Sequence, residues 1–199
     1  MAVNVAISGF GRIGRLVLRS IIESKRKDIN VVAINDLAPV DTNAFLLAND
    51  TVHGPLNEKI SVKKNKMTIG RKTISVLNER DPQKLPWKKM KIDVALECTG
   101  LFTSKEKASM HIKAGAKKVL VSAPCSEADK TIVYGVNEQE ITRNDLVVSN
   151  ASCTTNCLAP VVKVLHEKFG IVHGYMTTIH AFTGDQSVLD TFHPDLRRA

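Results

Sequence analysis

The chain has 199 residues, 43% of them apolar, with a mean hydropathy of -0.07 and a net charge of +8. That length suits one full domain and part of another, and the composition suits a soluble globular protein. No apolar run reaches the length of a membrane span, and four cysteines are too few for a disulfide framework, so no membrane partner and no disulfide scaffold are expected.

The positive charge lies in lysine clusters such as Lys63, Lys64 and Lys66, or Lys88, Lys89 and Lys91. No aromatics interleave them and no nucleic-acid motif accompanies them, so they read as a solvated surface and no nucleic-acid partner is expected. A basic surface also attracts phosphorylated metabolites. The start, Met1-Ala2-Val3-Asn4, enters a strand pattern with no charged n-region, apolar h-region or cleavage site. A cytoplasmic location is the expectation.

Val3 to Ser8 reads as a short buried strand. Gly9-Phe10-Gly11-Arg12-Ile13-Gly14 follows, and then an apolar-periodic helix with Ile13, Leu16, Val17 and Ser20 or Ile21 expected on its inner face. This is G-x-G-x-x-G between strand and helix. The first glycine serves the tight turn, the second lets a pyrophosphate approach the backbone, and the third lets the helix pack on the strand. The helix N-terminus adds donors and a positive dipole. Val31 to Asn35 is a second strand. It leads into Asp36, about 22 positions after Gly14, where a carboxylate meets adenosine ribose hydroxyls. Leu37, not arginine, follows, which favours NAD over NADP. The fold expected is α/β, a Rossmann-type doubly wound and mostly parallel sheet, followed by the start of an α+β catalytic domain.

Asp41 and Thr42 are placed to cap a short helix through Leu47. Lys59 to Leu77 alternates β-branched residues with breaks at Asn65-Lys66 and Gly70-Arg71, which predicts antiparallel strands inserted in the parallel sheet. Arg80-Asp81-Pro82 opens a connecting segment. Val94 to Glu97 is a strand ending in the small residues Cys98-Thr99-Gly100. Ser104 begins a helix to about Ala114. Val119 to Ser122 is the next strand, so Ser122 stands at the sheet edge where α/β ligands bind. Thr131 to Val136 and Leu146 to Ser149 are further strands.

The segment Ser149-Asn150-Ala151-Ser152-Cys153-Thr154-Thr155-Asn156-Cys157 places a cysteine among small hydroxyl and amide residues just before an apolar helix running to about Phe169, which Gly170 stops. A helix N-terminus favours thiolate over thiol, which makes Cys153 a candidate nucleophile. Pro160 cannot donate to the carbonyl of Asn156. Either the helix starts nearer Cys157, or it kinks. Cys153 and Cys157 share a spacing that a metal could use, but four ligands are hard to assemble, and no metal is expected. Ile171 to Ile179 reads as an extended strand ending in His180, a candidate base some 27 residues beyond Cys153. His53, His166, His173 and His193 are poorer candidates. The boundary between the two domains is expected at 150/151.

These residues also carry a family resemblance. A-S-C-T-T-N-C at 151–157, G-F-G-R-I-G-R at 9–15, A-I-N-D-L at 33–37, V-H-G-P at 52–55, E-C-T-G at 97–100 and T-T-I-H at 177–180 resemble phosphorylating glyceraldehyde-3-phosphate dehydrogenases. The resemblance implies that Cys153 attacks the aldehyde and His180 takes up the thiol proton. NAD then receives hydride, and inorganic phosphate cleaves the resulting thioester to 1,3-bisphosphoglycerate. It implies Ser152, Thr154, Thr183 and Arg198 as substrate or phosphate ligands beside Cys153. Gly9, Gly11, Arg12, Ile13, Gly14, Asp36, Arg80, Thr99 and Ser122 are the expected cofactor contacts. It also implies glyceraldehyde 3-phosphate and inorganic phosphate as partners and a homotetramer for the full-length family. Two other readings remain open: an erythrose-4-phosphate dehydrogenase, and an NAD-binding module without turnover.

Overall fold

The structure is a computed structural model, and residues 2–183 are described. They fall into two units, 1–163 and 164–199, with the second described through residue 183.

The first unit is built on strands β1 (Val3–Ser8), β2 (Ile29–Asn35), β5 (Ile60–Lys63), β6 (Lys66–Ile69), β7 (Lys72–Leu77), β8 (Val94–Glu97), β9 (Lys118–Val121), β10 (Lys130–Thr131) and β11 (Val147–Ser149). They form one sheet in the order β10-β11-β9-β8-β1-β2-β7-β6-β5. A two-residue ribbon, β3 (Asn49–Asp50) with β4 (Gly54–Pro55), stands apart. Every pair from β10 to β7 is parallel. The β5-β6-β7 meander is antiparallel and joins through β7, as the breaks at 65–66 and 70–71 predict. The chain leaves β1 for β2 on one side and reaches β8 on the other. The gap beyond the carboxyl ends of β1 and β8 is therefore the switch point of a doubly wound sheet.

Alternation along the strands fixes the two layers. Ile7 and Ile34 join Phe10, Leu18, Met67 and Ile74 in the core on one face. Their neighbours Ala6 and Ala33 join Trp87, Ile92 and Ala95 on the other. Alanine on that face leaves room for the indole of Trp87, which is fully buried.

Helix α1 (Arg12–Glu23) corrects the expected inner face. Gly14, Leu18 and Arg19 are its buried residues; of the expected ones Ile21 packs half-buried on the core and Leu16 and Val17 are half-buried, whereas Ile13 is 48% exposed and Ser20 is exposed. Gly14 lies on the contact line because it has no Cβ: one built there would stand 2.1 Å from the Gly9 carbonyl oxygen. The periodic stripe therefore runs through a glycine, one position away from the bulky residues that mark it in the sequence. Arg19 is tolerated inside because it donates to the carbonyls of His53, Gly54 and Pro55 at 2.7–3.1 Å and to Glu23.

Other elements differ in detail. Helix α2 (Val40–Ala48) starts after Pro39, with Asp41 inside its first turn and not at the cap. A 3-10 turn, Pro82–Lys84, is capped by Asp81, and α3 (Trp87–Met90) follows. Ser104 caps α4 (Lys105–Ala108), and a turn at Ser109 separates it from α5 (Met110–Lys113). The strand expected over 131–136 ends at Thr131. Asn137 captures the Val133 N–H at 2.9 Å, and Val133 O accepts from Val136 and Asn137, so the chain turns where a ladder would need it straight.

Helix α6 (Cys153–Phe169) starts at Cys153 and contains Pro160, which overturns a start near Cys157. Gly170 follows at φ +72°, the left-handed stop. No strand forms over 171–179, contrary to expectation. These residues are exposed and carry no regular structure, and no described strand offers them a ladder partner.

Candidate active site

The site grows from the carboxyl end of β1. Gly9 leaves the strand at φ +86°, a conformation that a side chain rarely adopts. A Cβ there would stand 2.6 Å from the Thr99 nitrogen, so the glycine turn abuts the loop after β8. Gly11 is the N-cap of α1, and a Cβ there would meet nothing within 4 Å. The three glycines thus differ in purpose: Gly9 makes the turn, Gly11 leaves backbone accessible, and Gly14 admits the helix to the strand. The first N–H groups of α1 lack intrahelical acceptors.

A cleft of about 340 Å³ lies there, and Gly9, Gly11, Asp36, Arg80 and Thr99 are among its lining residues. The Asp36 carboxylate accepts from Phe10 N at 2.7 Å and Ala38 N at 2.8 Å, which ties the glycine turn to the end of β2. Arg12 directs its guanidinium to Asp50 at 2.6 Å and stands outside the cleft lining, as do Ile13 and Gly14. With two backbone amides and Arg12 as donors, the Asp50 carboxyl is held well below the usual range. Ser122 follows β9 and donates its N–H to Glu97 O at 3.0 Å.

Two residues at strand ends have no role assigned from the sequence, Asn35 lining the cleft and Glu97 behind it. Asn35 is buried and clamps Glu79 twice, accepting from its N–H and donating to its carbonyl, both at 2.9 Å. This fixes the loop that carries Arg80. Glu97 is buried and accepts from both the N–H and the hydroxyl of Thr99. Beside it, burial pushes the Cys98 thiol up to about 11, against a smaller opposing effect of the Ser122 hydroxyl.

Cys153 is positioned by the end of β11. Ser149 donates its hydroxyl to Ala123 O and accepts from Ala151 N. Ala151, buried, takes the left-handed conformation at φ +57° without being glycine. Such strain, on the order of 1 kcal/mol, concentrates at functional turns. Ser152 then caps α6: its Oγ accepts from Thr155 N at 3.0 Å and its carbonyl accepts from Asn156 N at 2.9 Å. Cys153 is therefore the first helical residue, exposed, with its Sγ 4.0 Å from Thr154 Oγ1. A hollow lined in part by Thr103, Ser126, Thr131, Ser152 and Thr155 adjoins it.

In the second unit, His180 is exposed and its Nδ1 lies 2.6 Å from Ala181 O. A carbonyl only accepts, so Nδ1 carries the hydrogen. Thr183 is exposed, and Arg198 lies outside the described residues. Among the described residues no group of His, Cys, Asp or Glu could hold a metal ion, and no helix is long and apolar enough to cross a membrane.

A parallel sheet with a glycine turn, an Asp-closed cleft at its switch point and open backbone at Gly11 defines a dinucleotide-binding α/β domain. The cleft residues fit NAD: an acidic side chain stands at the end of β2 and Leu37 at its border. Residues 3–105 match the family profile described as glyceraldehyde 3-phosphate dehydrogenase, NAD binding domain, and residues 152–199 match that family's C-terminal domain. The chain belongs to the glyceraldehyde-3-phosphate dehydrogenase family, and its N-terminal part is an NAD-binding domain. It is 61% identical over its whole length to the glyceraldehyde-3-phosphate dehydrogenase of Xanthobacter flavus and 60% identical to that of Cereibacter sphaeroides. Identity to the Thermotoga maritima protein is 53% over 98% of the chain. The chain spans 59% of the length of each of these relatives.

Proposed function

We propose that the chain is the cofactor domain (1–150) and the opening of the catalytic domain (151–199) of an NAD-dependent, phosphorylating glyceraldehyde-3-phosphate dehydrogenase. The observation that carries this is Cys153 as first residue of α6, behind a strained Ala151 and a Ser152 cap, in the same chain as the NAD-binding domain.

The positive end of α6 favours the thiolate of Cys153. The thiolate adds to the aldehyde carbon, and His180 handles the proton exchanged between sulfur and the new oxygen. NAD, when bound, accepts the hydride that turns this hemithioacetal into a thioester. Inorganic phosphate then attacks the acyl carbon, releasing 1,3-bisphosphoglycerate and restoring the thiolate. Ser152, Thr154, Thr183 and Arg198 hold the substrate and attacking phosphate groups by hydroxyl and guanidinium donors. Arg12, Ile13 and Gly14 serve the cofactor through the first turn of α1, whereas Gly9, Gly11, Asp36, Arg80 and Thr99 serve it through the cleft and Ser122 through the next strand end. The protein works in the cytoplasm, in glycolysis and gluconeogenesis, as a homotetramer.

The test is a steady-state assay of the full-length protein with NAD and phosphate, comparing glyceraldehyde 3-phosphate with erythrose 4-phosphate. Faster turnover of the four-carbon aldehyde would transfer the assignment to an erythrose-4-phosphate dehydrogenase. A second reading applies to the chain by itself, since α6 buries none of its residues and leaves Val161, Val164 and Phe169 exposed. By that reading it is an NAD-binding module. Calorimetric NAD binding without aldehyde oxidation supports this, and oxidation by the isolated chain ends it.

A further inference from the structure

Behind the cleft lies a line of buried polar groups that the proposed chemistry does not use. Trp87 and His111 are wholly buried, and Glu97 is 1% exposed. Trp87 Nε1 donates to His111 Nδ1 at 2.9 Å. An indole N–H only donates, so Nδ1 is the accepting nitrogen and the ring hydrogen sits on Nε2. His111 Nε2 therefore donates to Glu97 Oε2, also at 2.9 Å. The other carboxylate oxygen, Oε1, accepts from Thr99 N at 2.7 Å and from the Thr99 hydroxyl. Thr99 Oγ1 in turn accepts from Leu101 N at 3.0 Å. Every hydrogen in this line has one direction.

The line ends at the wall of the cleft. Thr99 and Leu101 line it, and the peptide of Thr99 packs against Gly9 of the opposite wall. Glu97 also reaches a second expected cofactor residue, because its carbonyl accepts from Ser122 N. A loop of small residues with Gly100 at φ +74° has little of its own to hold it in place. Its position is set from behind.

We propose that Glu97, oriented by His111 and Trp87, is a positioning residue for NAD: it locks the 98–101 loop against the glycine turn and so sets the width of the cleft. This rests on the NAD-binding reading of the domain. A carboxylate is required because all three neighbours are donors. In Glu97→Gln one end of the side chain becomes an NH₂. Facing His111 it meets Nε2–H, and the ring cannot exchange its hydrogen while Trp87 occupies Nδ1. Facing Thr99 it meets the backbone N–H. Neither orientation satisfies the line, although the shape is nearly unchanged.

The test uses the 199-residue chain, its Glu97→Gln and Thr99→Val variants and the double variant. Calorimetry gives NAD affinity, and the indole ¹H–¹⁵N peak of Trp87, the single tryptophan in the sequence, reports the buried end. Each single variant should weaken NAD binding about fivefold or more, and the double variant no more than the worse single, because the two groups act as one unit. Glu97→Gln should also move the indole peak. Binding by Glu97→Gln within about twofold of wild type, or losses that multiply, would overturn the proposal. If Glu97→Gln does not fold, Thr99→Val decides: weaker binding with a displaced indole peak supports the relay, and an unmoved peak refutes it. A wild-type chain that fails to bind NAD refutes the cofactor reading itself, a different outcome.

Discussion

Gly14→Ala is the sharpest single perturbation of the cofactor domain. Two effects oppose each other. Alanine favours the interior of a helix over glycine by about 1 kcal/mol. Against this, the new Cβ would stand 2.1 Å from Gly9 O and 3.0 Å from Ile7 Cγ2. That is roughly 1 Å short of a tolerable carbon–oxygen contact. The obstacle is backbone in a glycine turn abutting the loop after β8, so neither side yields cheaply. Overpacking of this kind costs up to about 3 kcal/mol. The clash wins by about 2 kcal/mol, equivalent to a Tm lowered by about 4–8 °C for a chain of this size. Gly11→Ala is the control. Nothing lies within 4 Å of its Cβ, and the residue is only an N-cap, so stability should change by about 0.5 kcal/mol or less. On the proposed role of Gly11, the methyl group would occupy the backbone surface offered to the pyrophosphate, so NAD affinity should fall about tenfold or more, or at least about 1.4 kcal/mol. Thermal melts and calorimetry on both variants check the pair. A Gly14→Ala protein as stable as wild type, or a Gly11→Ala protein that binds NAD as tightly, would refute the separate roles given to these glycines.

Further outcomes follow from the cysteines and the acidic side chains. At pH 8 iodoacetamide should modify exposed Cys153 well before Cys98 and Cys125. Burial raises both of the latter thiols, and at about 11 the Cys98 thiol is ionised to roughly one part in a thousand. Equal labelling of the three, resolved by mass spectrometry, would count against an activated thiolate. Asp129 accepts from Lys105 Nζ, Val147 N and Leu146 N, and the lysine bond is the largest cause of its lowered pKa. A carboxyl lowered in the folded state contributes stability that is full above its unfolded value near 4. That stability is lost as pH falls through the folded value. Asp93, lowered by Lys117 and Asn4 N, acts in the same sense. The Tm should hold from neutral pH to about 5 and decline below about 4. Asp129→Asn should lower the neutral-pH stability by about 1–2 kcal/mol and flatten the acid decline. An unchanged acid limb in that variant would show that the ion pair does not govern it.

What the sequence disclosed follows the range of the interactions involved. β1 and β8 begin and end where their apolar runs do, and the meander breaks at the two turns, because those signals are local. The glycine motif was legible for the same reason: its spacing encodes a turn and a close approach within a few residues. The face of α1 was misread because periodicity counts side chains, and here the contact line passes through the residue that lacks one. The strand expected over 171–179 failed differently. Alternation states what a segment can pair with, while a strand exists only when a partner is supplied, and the described residues supply none.

Asn35 and Glu97, present in the quoted motifs but with no role assigned there, show the limit most clearly. Each ends a strand of otherwise apolar character, where a polar residue reads as the border of the element. Their work depends on partners that no local pattern marks: Glu79, distant by 44 positions, for Asn35, and His111, distant by 14, for Glu97. Burying such groups is costly unless every hydrogen bond is made. The absence of unsatisfied buried side-chain atoms among the described residues therefore carries information that composition cannot. A buried polar residue at the carboxyl end of a parallel strand is held there against its own solvation, and what it holds in return is a loop of the cleft. Asn35 fixes the loop bearing Arg80, and Glu97 fixes the loop bearing Thr99. Both expected cofactor ligands are thus presented by side chains that the ligand itself need never touch.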